Sequence, residues 1–162
     1  AYKNVDAVVR AMDLLGQRLL VVGDGPERPR LRKIAGVNTQ FVGDVDDAAF
    51  ADYLERCRAL VFAGEEDFGM VPVEAMAAGA PVIARGRGGV TETVTDGRTG
   101  VFFDPPTPEA IAEAVRRFES RGVSADAAAL HCESEKFGVE RFARAASDWI
   151  EQSHQRFTQG LA

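Results

Sequence analysis

Residues 64–81 read GEEDFGMVPVEAMAAGAP, and their neighbours decide the fold. The apolar run Leu60-Val61-Phe62 enters this stretch and Val82-Ile83-Ala84 leaves it. Between those strand-like runs, Phe68-Gly69-Met70 forms a tight turn that opens a short helix through Ala75-Met76-Ala77-Ala78. Gly79 ends the helix and Pro81 lies just beyond it, where a helix cannot continue. Two carboxylates, Glu66 and Glu74, flank the turn with seven residues between them.

The same alternation extends in both directions. Upstream, Val5, Val8, Val9 and Met12 fall at helical spacing, with Asn4 placed to cap the start and Gly16 to end it. Leu19–Val22 is a short apolar strand. Pro26 suits the first turn of a second helix that carries Leu31, Ile34 and Ala35. Gln40-Phe41-Val42 is the next strand, Asp46 and Asp47 stand where a helix cap belongs, and Phe50, Tyr53, Leu54 and Cys57 repeat the helical spacing. Downstream come a glycine-rich loop (Gly86 to Gly89), a turn of helix around Thr91–Val94, a strand at Val101–Phe103 and a helix opened by Thr107-Pro108-Glu109. Phe142, Ala145, Ala146 and Trp149 put the last segment in helix, and the apolar faces of all these helices are expected to be core.

Short, fully apolar strands alternating with amphipathic helices predict a parallel sheet covered on both faces, a doubly wound, Rossmann-like α/β domain. The chain opens on a helix, where such a unit opens on a strand, and in the usual order that first strand is central. The reading is therefore a single domain over residues 1–162, a fragment of a longer protein whose first strand is missing. At 162 residues the chain can bury one full core. A formal net charge of −6 argues against salt-driven nucleic-acid binding. Cys57 and Cys132 are too few for a disulfide scaffold, so a reducing compartment is expected. No run approaches the roughly 20 apolar residues of a membrane span. A cytoplasmic location follows, with contact at the inner face of the membrane left open.

Ligands of doubly wound sheets sit beyond the carboxyl ends of the strands. Gly23-Asp24-Gly25, Gly43-Asp44-Val45, Gly64 to Met70 and Gly86 to Gly89 all lie there. The amides of Gly69, Met70 and Val71, at the start of a helix, favour an anion such as a diphosphate. Glu74, read on the first helical turn, can accept from two neighbouring sugar hydroxyls, and Glu66 can do the same for a second sugar. A solvated surface role for either acid is the alternative.

Here the sequence resembles a family. Glu66, Phe68-Gly69 and Glu74-Ala75-Met76-Ala77-Ala78-Gly79-Ala80-Pro81-Val82-Ile83 are similar to the donor-binding signature of family 4 glycosyltransferases, retaining enzymes of the two-domain GT-B fold. Gly88-Gly89-Val90-Thr91-Glu92, Asp96-Gly97-Arg98-Thr99-Gly100 and Val22-Gly23-Asp24-Gly25-Pro26 extend the likeness over nearly the whole chain. Tyr2–Asp6 and Glu65–Gly69 look like a bacterial mannosyltransferase subgroup that builds O-antigen and similar polysaccharides. The resemblance implies the C-terminal, donor-binding half of such an enzyme. Glu74 would hold the ribose hydroxyls, Glu66 the donor sugar, and Lys3 the leaving diphosphate. Gly69 and Met70 would touch the sugar or phosphate through their amides, the strand end from Val42 to Val45 would flank the nucleobase mostly through backbone, and Phe68, Val71 and Gly23 would complete the donor site. The donor implied is a nucleotide-sugar, GDP-mannose ahead of a UDP-sugar, with no cofactor and no metal. A saccharide or lipid-linked acceptor would come from an N-terminal domain, and the arginine that the family pairs with Lys3 would stand a few residues upstream of the chain's start, so the fragment alone is expected to be inactive. A non-catalytic nucleotide-binding module is the reading from another class.

Other motifs are set aside. Asp44-Val45-Asp46 spells an acid-x-acid metal pattern, but Asp46 fits a helix cap better. Gly23-Asp24-Gly25 has Arg28 where a dinucleotide fingerprint needs its third glycine, and Gly86–Gly89 is followed by no Gly-Lys-Ser/Thr. His131 and His154 have no serine elbow or metal-ligand spacing around them.

Overall fold

The structure, a computed structural model, describes residues 2–160. Its elements run in order α1 (Val5–Leu15), β1 (Leu19–Val22), α2 (Arg28–Ile34), β2 (Thr39–Gly43), α3 (Asp47–Arg56), β3 (Leu60–Phe62), α4 (Met70–Ala77), β4 (Val82–Arg85), α5 (Val90–Thr93), β5 (Gly100–Phe103), α6 (Pro108–Arg121), α7 (Ala127–Ser134), a 3₁₀ turn (Glu135–Phe137) and α8 (Val139–Gly160). All the ladders between strands are parallel, as the alternation of strand and helix requires.

Period-2 geometry sorts the strand side chains between two cores. Ile83, Val101 and Phe103 join Ala7, Val8, Ala11 and Met12 of α1 and Ile111, Ala114 and Val115 of α6. Phe62, Val82 and Ala84 point the other way, onto Leu54 of α3, Ala75 and Met76 of α4, Val90 of α5 and Leu130 of α7. The sheet is thus covered on both faces, as expected of a doubly wound domain.

The strands form two ladders, β1-β2 and β3-β4-β5, and no ladder joins β1 to β3. In the doubly wound strand order the place between them belongs to the central first strand. α1 ties the two ladders. It packs into the core over β4 and β5, and its Asp6 carboxylate pairs with Arg30 of α2 at 3.6 Å.

Local chemistry departs from the sequence reading at four points. Asn4 stands at the head of α1 in a left-handed conformation (φ 49°) and makes no side-chain cap bond. Its Nδ2 instead donates to the Ala63 carbonyl at 2.9 Å, just past β3. Pro29, not Pro26, occupies the first turn of α2. Glu74 is the fifth residue of α4, one turn further in than expected. The apolar face of α8 is not core, since none of its residues is buried and Phe142, Trp149 and Phe157 are exposed. The caps at Asp46 and Thr107 form as expected, accepting from the amides of Ala49 at 2.8 Å and Ala110 at 3.3 Å.

Gly100 shows how closely the ladder packs. A Cβ there would lie 2.2 Å from the Val82 carbonyl oxygen and 2.6 Å from Val94 Cγ1. Gly100→Ala is therefore expected to lower unfolding free energy by about 1–3 kcal/mol, the usual cost of overpacking. Urea unfolding measures it, and an unchanged midpoint would refute the close approach.

Candidate functional site

The loops beyond β3 and β4 build a compact arrangement at the carboxyl edge of the three-stranded ladder. Gly69 begins α4 at φ +80°, in the left-handed region that favours glycine. A Cβ there would meet only ordinary contacts, the nearest being Pro72 Cγ at 3.6 Å. It is therefore conformation, not space, that calls for glycine at this position. The amides of Gly69, Met70 and Val71 precede any carbonyl that α4 could offer them, and Pro72, buried in the first turn, has no amide to leave over. Met70 and Glu74 are exposed, Val71 is half-buried, and Phe68 sits edge-on to Phe137 of the 3₁₀ turn at 5.8 Å between ring centres.

Lys3 reaches this edge from the start of the chain. The Asn4–Ala63 hydrogen bond tethers the segment, and the Lys3 backbone runs so close to Gly64 that a Cβ there would sit 3.6 Å from Lys3 Cα. Lys3 Nζ then lies 3.5 Å from Glu66 Oε1. The structure thus brings together two residues 63 positions apart that the sequence reading had grouped.

Behind Glu66 the glycine-rich loop packs backbone against backbone. The Gly89 amide donates to the Glu66 carbonyl at 2.9 Å. A Cβ at Gly88 would fall 2.5 Å from that oxygen, and one at Gly89 would fall 2.2 Å from the Asp67 carbonyl.

Gly23, Val42 and Val45 form a second group, at the carboxyl edge of the two-stranded ladder. Gly23 donates its amide to the Gly43 carbonyl at 2.8 Å, and both glycines have positive φ. Beside them Arg28 pairs with Asp24, whose carboxyl is held below its ordinary value by the Gly25 amide and then by Arg28. No contact joins this group directly to Lys3 or Glu66 among the hydrogen bonds and ion pairs of the described residues. Two shallow concavities, of about 170 and 330 Å³, open at the amino-terminal edge of the strands and contain none of the candidate residues. The candidate residues instead line the exposed carboxyl edge.

Sequence reasoning missed an ion network at that edge. Arg85, the last residue of β4, bonds Glu65 at 2.9 Å and Asp104 at 3.1 Å, and Arg87 bonds the other oxygen of Asp104 at 2.8 Å. The only sequence hint is the position of Arg85 and Arg87 around Gly86, at a strand end already marked as ligand-facing.

Comparison with known proteins assigns the family. The sequence profile of the glycosyl transferases group 1 family matches residues 1–136. The chain belongs to that family. It is 35% identical over 125 residues to a GDP-mannose-dependent alpha-(1-6)-phosphatidylinositol dimannoside mannosyltransferase of Mycobacterium tuberculosis, covering 75% of this chain and 32% of that protein. A D-inositol 3-phosphate glycosyltransferase of Streptomyces avermitilis is 36% identical over 148 residues, 83% of this chain and 32% of that one. The chain thus spans about a third of the length of these curated relatives. Among solved structures, sucrose-phosphate synthase from Thermosynechococcus elongatus superposes with a TM-score of 0.81 at 28% identity, over 96% of this chain and 43% of that one. Anabaena HepE, solved in complex with UDP-glucose, superposes at 0.78 with 20% identity, over 93% and 46%. The fold of this group 1 glycosyltransferase chain is that of one half of a GT-B enzyme.

The network at this edge of the glycosyltransferase domain has a pH signature. Hydrogen bonds from Arg87 and then Arg85 hold the Asp104 carboxyl below its ordinary value of 3.8. A carboxylate lowered in the folded state contributes stability that is complete above its unfolded value and is lost as pH falls through the folded one. Asp104→Asn is therefore expected to lower stability most at neutral pH and least in acid, so that the fall of stability below about pH 4 is flatter than in the unaltered chain. Urea midpoints measured across that range test it, and parallel curves for the two proteins would refute it.

Proposed function

We propose that this chain is the donor-binding half of a family 4 retaining glycosyltransferase that transfers mannose from GDP-mannose to a saccharide or lipid-linked acceptor. The observation that carries the reading is the meeting of Lys3, Glu66 and the amino terminus of α4 at one strand edge. A nucleotide-sugar presents a diphosphate flanked by two sets of vicinal hydroxyls. Free amides and a lysine suit the first, and carboxylates with two acceptor oxygens suit the second.

In this reading the amides of Gly69, Met70 and Val71 receive the diphosphate, Glu74 the ribose hydroxyls and Glu66 those of the transferred sugar. Phe68 covers the turn, and Gly23, Val42 and Val45 border the base. When the sugar C1–oxygen bond breaks, negative charge grows on the departing diphosphate and positive charge on the sugar. Preorganised amides and Lys3 stabilise the former, an effect worth a few kcal/mol per donor group. The exposed Lys3–Glu66 pair is worth about 1 kcal/mol or less. An arriving diphosphate, offering several charged oxygens, can therefore share Lys3 with Glu66. The acceptor attacks from the face the leaving group departs, as the family resemblance implies.

The mannosyltransferase relative supports GDP-mannose and a lipid-linked acceptor. A UDP-sugar is the second reading, favoured by the UDP-glucose complex of the structurally similar HepE. The domain would be one part of a two-domain enzyme working in the cytoplasm in polysaccharide assembly. A strand from outside residues 1–162 would fill the place between β1 and β3, and the acceptor would come from the other domain. The chain alone would bind donor without turnover.

Calorimetric titration with GDP-mannose and UDP-glucose tests the reading. Binding of GDP-mannose in preference to UDP-glucose is expected, and equal affinities would remove the mannose assignment. Failure of both to bind at about millimolar concentration would remove the donor site itself. Glu74→Ala should weaken binding about tenfold or more, from the loss of charge-assisted hydrogen bonds. Glu113→Ala, on the exposed face of α6, should change it little.

A further inference from the structure

Two adjacent carboxylates, Glu65 and Glu66, follow β3, and one lysine stands before them. Lys3 Nζ lies 3.5 Å from Glu66 Oε1. Glu65 points elsewhere, its Oε2 2.9 Å from Arg85 Nη1. The Arg85 side chain is only 19% exposed and its Nε is engaged by Asp104 at 3.1 Å. Asp104 is fixed in turn by Arg87 at 2.8 Å. The backbone holds this frame in place, since Gly86 donates to the Phe103 carbonyl at 3.0 Å and Gly89 to that of Glu66 at 2.9 Å.

We propose that Arg85 is a positioning residue for recognition of the donor sugar: by engaging Glu65, it leaves Lys3 and Glu66 to each other and to the ligand. This rests on the assignment of Glu66 to the sugar hydroxyls made above. Carboxylates side by side on an extended segment compete for any cation within reach, and at Coulomb range the nearer or less hydrated one wins. Arg85 settles that competition because its guanidinium is a fixed, permanently charged fork already oriented by Asp104. Without it, Glu65 keeps only the charge of Arg87, which Asp104 already engages, and can turn to Lys3. Glu66 would then lose the partner that orients it, and the leaving-group lysine would be held off the diphosphate. The role depends on an arginine at the end of β4 and an aspartate after β5.

The test measures the affinity of the chain for GDP and GDP-mannose, and for UDP and UDP-glucose as a second pair. Within the preferred pair, the ratio of the two affinities reports sugar recognition. Arg85→Gln is expected to reduce that ratio about fivefold, the scale of one partly exposed ion pair, with a smaller change for the nucleotide alone. Adding Glu65→Gln to Arg85→Gln should restore the ratio, because the competing charge is gone. A bond serving only to brace the loop would not be rescued this way. Glu65→Gln alone should leave the ratio near that of the unaltered chain, and this arm stands even if Arg85→Gln fails to give a folded circular-dichroism spectrum. Retention of the ratio in Arg85→Gln, absence of rescue in the double variant, or loss of the ratio in Glu65→Gln would each overturn the inference. If the unaltered chain itself does not distinguish sugar nucleotide from nucleotide, the assignment of Glu66 fails, and this inference with it.

Discussion

The backbone of Glu66, Asp67 and Phe68 lies directly against that of Gly88 and Gly89, with a single amide–carbonyl bond of 2.9 Å between Gly89 and Glu66. A Cβ on either glycine would overlap a carbonyl oxygen of the facing segment. The contact therefore needs two residues without side chains, and it fixes the turn that launches α4 without covering its outer face. The free amides of that helix, the half-buried Glu66 and the exposed Glu74 all take their positions from it. Side-chain packing could hold the turn equally firmly, but it would occupy the edge where a ligand must approach.

Electrostatics at this edge differ from those of the molecule as a whole. The chain carries a formal net charge of −6, yet Lys3, Arg85 and Arg87 converge here, each beside a carboxylate. The pairs are unequal. Arg85 is largely shielded and engaged by two carboxylates. Lys3 is half-exposed and engaged once, at a distance long for a hydrogen bond. On the proposed reading this inequality matters, because one cation serves as a fixed frame while the other is free to follow charge as it moves.

Much of this was legible in the sequence because it is local. Leu19–Val22 and Leu60–Phe62 form strands at the residues read from their apolar runs, and Asp46 and Thr107 cap the helices they precede. Phe68-Gly69-Met70 opens α4 as its glycine suggested. The misreadings come from tertiary demands on residues that also have local preferences. Asn4 is a good cap by type, but its amide is spent on Ala63, across 59 positions. Pro26 and Pro29 both fit a first turn, and the helix starts at Arg28, which puts Pro29 there and buries Leu31. The helical spacing in α8 is real, but spacing names a face without naming what covers it. Of the Glu65–Arg85–Asp104–Arg87 network the sequence showed only two arginines at a ligand-facing strand end, since charges brought together by three different strand ends leave no period in the chain.

The two ladders give α1 a role that its amphipathic pattern alone does not convey. A continuous sheet would hold its carboxyl edge in register through backbone hydrogen bonds from strand to strand. Here β1 and β3 share none, so the two ladders are related by side-chain packing, to which α1 and Leu19 of β1 contribute. One face of that helix is buried with Ile83, Val101 and the α6 side chains, and Asp6 reaches Arg30 on the other ladder's helix. Lys3 sits at the foot of α1, held by Asn4 to the end of β3. The distance between Lys3 and Glu66 is therefore set by helix packing and one side-chain hydrogen bond, not by a ladder. A strand seated between β1 and β3 would transfer that constraint to the sheet. The Lys3–Glu66 geometry would then be braced from beneath by backbone hydrogen bonds as well as from above by α1.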